Sequence, residues 1–454
     1  MLCCKSACRI GAFCGGFIYV VGLFMALSYA GAHVSLHAQA PQRLSSEQRT
    51  LARNMLSDIA DDVRKNYYDP KMRGLDWNAL VSQTRAQIDA APNLETANAE
   101  IGALLERLQD SHTFFVPPQQ VSSVDYGWTF QAIGNRSFVT YVKSGSDADR
   151  QGMKPGDEVL TLDGFTVERA SALRLQYAIN VIVPRPVLHV YLRNTAGKIR
   201  KLDVTSVVTQ WSHTPIADEL VPWKNRLEYE KSSRLMDPRT KDFGPQLLVI
   251  KVPAFFQFDG DVDSLFKKAR GHDAVIVDLR GNPGGAVDSV MRYLDDVFDS
   301  KVKVADVVSR EKPHAMTVNP NPRDMYEGKL FVLIDSESAS AAEVFARTVQ
   351  LQGRGKILGD VSSGSVMEAQ QRPFRDSGSS GGIYGDSVTI ADLLMGDGHS
   401  LEGHGVIPDQ VILPTAADLA DSRDPVLVQA AAMAGVTLTP EAAWKLFPHN
   451  VQPQ

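Results

Sequence analysis

Beyond residue 14 the chain has no cysteine; all four, Cys3, Cys4, Cys8 and Cys14, lie at the very start of its 454 residues. Disulfides, zinc-thiolate sites and cysteine nucleophiles are therefore excluded from everything downstream. The chain also lacks an H-E-x-x-H pair or a comparable cluster of ligands, so no metal or other cofactor is called for. An excess of one charge is missing too. A formal net charge of −6 over this length gives no sign of a nucleic-acid partner. One long apolar run is present: residues 10–32 carry no charge, follow Lys5 and Arg9, and precede Ala38-Gln39-Ala40, the pattern of an export signal. The run is also long enough to span a bilayer, so residues 1–40 read either as a signal peptide or as an uncleaved N-terminal anchor. In both cases the rest is expected outside the cytoplasm, in a periplasmic or extracellular space.

That remainder is too long for one ordinary core, and two or three domains are expected. Ser45 with Gln48 three residues on forms a capping-box pattern, and Leu51, Met55 and Ile59 then share one helical face. After an interruption at "YYDPKMRGLDW", Ile101, Leu104, Leu105 and Leu108 mark a second amphipathic helix, so residues 41–119 read as a helical unit ending in "QDSHTFFVPP". Residues 120–210 change to short alternating runs. Within them "SDADRQGMKPGDEVLTLDG" resembles a PDZ domain in the order of its turn glycines and of the acidic residue after Gly156. Such domains add an extended peptide to a sheet edge and hold its C-terminal carboxylate on backbone N–H groups. The loop matching that role here is Tyr126, Gly127, Trp128 and Thr129, with a spacer domain that binds nothing as the alternative.

From residue 211 to 415 the near-continuous apolar runs "QLLVIKV", "DAVIVDLR" and "GKLFVLID" alternate with helical stretches, as strands buried on both faces do, so an α/β core follows. Two of these strands end in unusual loops. One runs into the glycines of "GNPGG", which permit backbone conformations closed to other residues and let N–H groups face a ligand. The other runs into "SESASAAE", three serines ahead of a helix. Functional loops of an open α/β sheet gather at such strand ends. Residues 416–454 are alanine- and leucine-rich with helical spacing and should pack on the core or on a second copy.

"DLRGNPGG", then "SASAAE", and a final "LEGHGVIPD" together resemble the S41 serine peptidases, the C-terminal processing or tail-specific proteases, which also place a PDZ domain before a ClpP/crotonase-like α/β core. The resemblance implies Ser340 as nucleophile. The residues agree: Ser340 opens a helix whose buried face is Ala342, Phe345 and Val349, and the positive end of that helix favours a developing oxyanion held by the N–H of Ala341 and a donor from Gly284 and Gly285. Ser336 and Ser338 read as caps and turn residues. Asp278 and Arg280 read as a charge pair bracing a strand end.

The family's common general base is a lysine after "GEPTFGKG". Here the stretch is "GDVSSGSVM", with Ser365 in its place, and a serine cannot take a proton at neutral pH. The tricorn proteases, a branch without that lysine, use instead a histidine preceded by a serine, with a distant glutamate. This implies His112 as base, with Glu402 fixing its tautomer, through the hydroxyl of Ser111 or directly. His404 competes for the role of base, and His399 reads as exposed. Two functions stand: an exported serine endopeptidase acting on polypeptides with extended C-terminal segments, and a catalytically silent peptide- or ligand-binding protein on the same scaffold.

Overall fold

The computed structural model describes residues 44–118, 122–210, 237–257, 259–320, 325–375 and 383–447. The leader expected at residues 1–40 lies outside them. Among the described residues no helix is long and apolar enough to cross a membrane.

The first helix, Ser46–Asn66, begins where the capping pattern puts it. Gln48 N–H donates to Ser45 Oγ and Ser45 N–H to Gln48 Oε1, each at 3.1 Å. Its inward face carries Met55, Leu56, Ile59 and Val63, all fully buried. Two further helices follow, Trp77–Ala90 and Leu94–Glu106. The first of these was hidden from sequence reading because only Trp77, Thr84 and Ile88 of its residues are buried, too few for a clear period. The chain then differs from a purely helical unit. Phe114–Val116 is a strand, and it pairs antiparallel with Gly385, Asp386 and Ser387 of the long strand Ile383–Met395. Tyr384 and Val388 of that strand join the helices' own apolar cluster, so the helices pack directly on it.

The next segment is a β module. Strands Trp128–Ile133, Arg136–Val142, Glu158–Leu162, Val187–Arg193 and Ile199–Thr205 form one sheet in chain order, with Trp128–Ile133 at its edge and Phe165–Thr166 paired to Glu158–Leu162. The helix Arg169–Tyr177 buries Ala172 in the module's core. Two short strands, Ser122–Asp125 and Val207–Gln210, lead in and out and pair with each other.

The α/β core has a six-stranded sheet in the order Arg239–Asp242, Leu247–Lys251, Ala274–Asp278, Lys329–Ile334, Lys356–Gly359 and Gln410–Val411, parallel except for the first pair. Helices Asp259–Ala269, Val287–Asp295 and Ala341–Leu351 cover one face through Phe266, Tyr293 and Phe345. The C-terminal helices Pro425–Met433 and Pro440–Trp444 cover the other through Leu427, Ala430, Ala431 and Ala443, so the C-terminal segment packs on this chain's own core. A second sheet holds Ile383–Met395 between Phe114–Val116 and Lys303–Ser309; it also contains Met367–Arg375 and His314–Thr317.

Asp278 and Arg280 do brace a strand end. The Arg280 guanidinium donates to Asp278 Oδ2 at 2.8 Å and to Asp424 Oδ2 at 2.8 Å, and Lys251 Nζ reaches Asp278 Oδ1 at 3.2 Å. Asp424 in turn caps the helix Pro425–Met433 through Leu427 N–H. Although burial opposes it, the neighbouring cations hold the Asp278 carboxyl well below the ordinary range. Removing the arginine leaves two carboxylates buried with their main counter-charge gone. Arg280→Ala is therefore expected to lower unfolding free energy by about 3–5 kcal/mol, measured as a shift in the urea midpoint. A loss below about 1 kcal/mol would show that this bridge does not tie the C-terminal helices to the sheet.

Candidate active site

Adjacent parallel strands set the site. Asp278 lies in register with Leu333, so the loops that follow Ala274–Asp278 and Lys329–Ile334 leave the sheet side by side. One carries residues 281–285 and the other residues 335–340. The backbone of Ser340 has φ 53° and ψ −117°, a left-handed conformation rare for a residue with a Cβ and worth roughly 1–3 kcal/mol of strain. It lets the chain turn sharply from the strand loop into the helix Ala341–Leu351. The facing loop must come very close. A Cβ on Gly284 would lie 2.6 Å from Ser340 Cβ, and one on Gly285 2.2 Å from Phe255 O, so both positions demand glycine.

Among the described residues the N–H groups of Ala341 and Gly285 have no hydrogen-bond partner. The Gly284 N–H, by contrast, is donated to Asn282 Oδ1 at 2.8 Å. Gly284 thus supplies room beside Ser340, and Gly285 supplies the unpaired donor of that loop.

The buried Glu343 carboxylate, one helical turn after Ser340, holds the turn together. Its oxygens accept from Ser340 N–H at 3.1 Å, Ser362 Oγ at 2.5 Å, Gly364 N–H at 2.8 Å and Ser365 N–H at 2.9 Å. Burial pushes the carboxyl up to about 7 against the pull of these four donors. Sequence reading did not single it out, although S-x-x-E across positions 340 and 343 is itself a capping-box signal. Ser365, in the place of the family lysine, acts through its backbone: its carbonyl accepts the Ser340 N–H at 2.8 Å. Its hydroxyl pairs with Ser363 Oγ at 2.8 Å.

The second half of the site arrives from the N-terminal helices. Asp110 Oδ1 accepts from the N–H groups of His112 and Thr113 and from Thr389 Oγ1, which fixes the turn at residues 110–113 against the long strand. Asp110 was not foreseen, though an aspartate four residues ahead of a strand, accepting the N–H groups two and three residues on, forms an Asx turn. Ser111 and His112 follow. Glu402 Oε1 accepts from Ser111 N–H at 2.7 Å, and Oε2 accepts from Ser111 Oγ at 2.9 Å and from Val366 N–H at 2.9 Å. Ser111 Oγ also lies 2.7 Å from His112 Nδ1. A hydroxyl has one proton. Given to Glu402, it leaves the oxygen to accept from Nδ1–H, so the neutral ring presents Nε2 as a base. Burial lowers the His112 pKa below its ordinary value, opposed by the Asp110 charge, and burial raises that of Glu402 against its three donors.

The two halves meet at consecutive residues, since Ser365 takes the Ser340 N–H while Val366 gives its own to Glu402. Among the described residues no hydrogen bond joins the Ser340 hydroxyl to the His112 ring in this arrangement; the Ser340 side chain faces the Glu343 backbone in the capping box of its own helix. The other histidines stand apart. His404 is exposed and bonds the Glu402 backbone carbonyl through Nδ1 at 2.8 Å, and the His399 side chain is 83% exposed. Ser338 Oγ donates to Leu279 O, a turn role, whereas Ser336 Oγ donates to Ala132 O of the β module.

In the module, Tyr126 is buried with its hydroxyl near Ile179 O and Arg185 N–H; Gly127 gives its N–H to Asp125 Oδ1 at 2.8 Å; Trp128 stacks obliquely on Phe130; and Thr129 Oγ1 pairs with Thr140 Oγ1. Two outward carbonyls of the edge strand are occupied from within the chain, Phe130 O by Gln176 Nε2 and Ala132 O by Ser336 Oγ.

The peptidase family S41 model matches residues 246–412, and that of the tricorn protease C1 domain matches residues 49–95. Among curated proteins the chain is 23% identical over 365 residues to the chloroplastic carboxyl-terminal-processing peptidase 3 of Arabidopsis thaliana, covering 76% of this chain and 66% of that one. It is 22% identical over 335 residues to a probable CtpA-like serine protease of Staphylococcus aureus, covering 70% and 60%. The chain thus spans about two thirds or less of the length of these relatives. The crystal structure of mature CPAF superposes with a TM-score of 0.63 at 15% identity, covering 83% of this chain and 95% of that one, a likeness of fold. The mixed α/β fold and these matches place the chain in one class, that of the S41-type peptidase scaffolds. The resemblance to peptidase family S41 is carried by the match over residues 246–412 and by these relatives.

Replacing Glu343 by alanine leaves the N–H groups of Gly364 and Ser365 and the Ser362 hydroxyl without their acceptor, while the Ser340 N–H keeps Ser365 O. With roughly 1–3 kcal/mol per buried unsatisfied group, Glu343→Ala is expected to lose about 3 kcal/mol or more of unfolding free energy in a chemical melt. An unchanged melt would mean that water or a shifted backbone replaces the carboxylate.

Proposed function

We propose that the chain is an exported serine endopeptidase that hydrolyses peptide bonds of partly unfolded polypeptides, with Ser340 as nucleophile, His112 as general base and acid, and Glu402 acting on His112 through Ser111. The observation that carries the reading is the chain of short bonds from Glu402 through the Ser111 hydroxyl to His112 Nδ1, tied by residues 365 and 366 to a serine held in a left-handed turn. A mere binding surface has no use for a base whose tautomer is fixed two bonds away. In the reaction His112 Nε2 takes the Ser340 proton as Oγ attacks the carbonyl carbon. The imidazolium then hands that proton to the leaving amine, and water repeats the cycle on the acyl-enzyme. The N–H groups of Ala341 and Gly285 point to the oxyanion, the first at a helix start whose dipole favours negative charge. On this reading Ser340 Oγ comes within reach of Nε2 when substrate binds, since catalytic hydrogen bonds commonly tighten only then.

The β module is the substrate reader in this proposal. A peptide adds to the edge strand Trp128–Ile133 at its 126–129 end, because further along Phe130 and Ala132 carbonyls are already taken. Export rests on the leader pattern of residues 1–40, with cleavage or membrane anchoring of that leader as its two forms.

A fluorophosphonate probe should label the wild type at Ser340. Labelling should vanish in Ser340→Ala and fall about 10²-fold or more in rate in His112→Ala. A folded wild type that stays unlabelled would instead leave a peptide-binding scaffold without chemistry. The acid limb of kcat/KM should rise through a pKa below 6.5, because burial disfavours the imidazolium and only the neutral ring can accept the proton. A limb above 7 would contradict His112 as base. Ser111→Ala cuts the link from the ring to Glu402 and should lower kcat more than it raises KM.

A further inference from the structure

Behind the Ser111-His112 turn two buried polar atoms have no hydrogen-bond partner among the described residues, the Tyr67 hydroxyl and Asp110 Oδ2. Tyr67 directly follows the helix Ser46–Asn66 and is fully buried among Leu105, Leu108 and Phe115 in the apolar cluster of the N-terminal helices. Its backbone is fixed. Tyr67 N–H donates to Val63 O at 2.9 Å, and its carbonyl accepts from Arg310 Nε. The next residue, Tyr68, gives its N–H to Thr389 O at 2.9 Å, and Thr389 Oγ1 donates to Asp110 Oδ1 at 2.7 Å. Tyr67 and Asp110 are thus anchored to the same residue of the long strand. The donors at Asp110 are unevenly shared: His112 N–H, Thr113 N–H and Thr389 Oγ1 all go to Oδ1, and none goes to Oδ2.

A phenol has one proton to give, and a carboxylate oxygen shut away from water needs one to receive. No bond of ordinary length and angle joins the two in this arrangement. They are nonetheless neighbours. Burial raises the Tyr67 pKa, and the Asp110 carboxylate raises it further by its charge and by contact with the hydroxyl; Tyr68 adds to the rise and Arg73 opposes it. The Arg73 guanidinium is itself given to Leu108 O and Gln109 O. We infer that Tyr67 is a positioning residue for His112, its hydroxyl donating to Asp110 Oδ2 and so completing the carboxylate that carries the Ser111-His112 turn. The inference rests on the peptidase reading above for its effect on rate. Tyr67 touches no reacting atom. It acts through Asp110, whose charge opposes the effect of burial on the His112 ring and so supports the imidazolium formed when the ring takes a proton.

The test follows the His112 ring by NMR in histidine-labelled protein, its signal assigned by loss in His112→Ala, together with the rate at which a fluorophosphonate labels Ser340. Tyr67→Phe keeps the packing of the ring and removes only the hydroxyl. Without that donor the Asp110 carboxylate is more basic and its charge bears more fully on the imidazolium. The His112 pKa should therefore rise, and labelling near neutral pH should slow about tenfold, the scale of one hydrogen bond to a charged group. Asp110→Asn removes the charge, so the His112 pKa should fall below that of the wild type. In the double variant Tyr67→Phe should add no further shift. A His112 pKa and labelling rate that Tyr67→Phe leaves unmoved, or a Tyr67→Phe shift of equal size with and without the Asp110 charge, overturns the inference while the peptidase reading stands. A folded wild type that takes no label overturns that reading, and the titration of the ring then decides alone whether Tyr67 acts on it.

Discussion

One buried carboxylate, Glu343, conditions the whole site. Ser340 can occupy a left-handed backbone only because something holds its N–H, and that N–H is shared between Glu343 and the carbonyl of Ser365. The same carboxylate collects Ser362, Gly364 and Ser365, so the loop that carries a lysine in the common S41 enzymes is fastened here to the serine's own helix. A carboxylate surrounded by donors in a low-dielectric interior is a strong joint precisely because neither side has water to turn to. Through that loop the joint extends to Glu402 by way of Val366, and from Glu402 to Ser111 and His112.

A serine in place of the lysine therefore does not empty the loop of purpose, and under the proposed function the base has another source. In this chain the loop is a backbone clamp, and the base proposed above, His112, sits elsewhere in the sequence on a turn fixed by Asp110. The two contributions are separable in chemical terms. The clamp sets where the hydroxyl stands, and the Glu402 to Ser111 to His112 chain sets the tautomer of the imidazole.

Much of this was legible in the sequence, for identifiable reasons. The buried parallel strands announced themselves as unbroken apolar runs, and the glycines at 284 and 285 as positions where backbone must approach closely; both follow from steric rules that act locally. Ser111, His112 and Glu402 were reached by resemblance, and their mutual bonding depends on a separation of 291 residues that no local pattern encodes. The helix Trp77–Ala90 was missed because few of its residues are buried. Phe114–Val116 was not read as a strand, since three residues give no period and its partner lies far along the chain. The bonds of Ser336 and Arg169 between module and core were illegible for the same reason. Ser336 looked like a turn residue, and within its own segment it is one.

The paired strands Ser122–Asp125 and Val207–Gln210 carry one more implication. Because the chain enters and leaves the β module side by side on this stem, the module is a cassette set into the catalytic body, whose own pieces lie on both sides of it in sequence. Lengthening or exchanging the cassette would leave the register of Phe114–Val116 against the long strand untouched, and with it the placement of the imidazole. On the proposed function, a lineage built on this plan is free to change what it reads while keeping how it cuts.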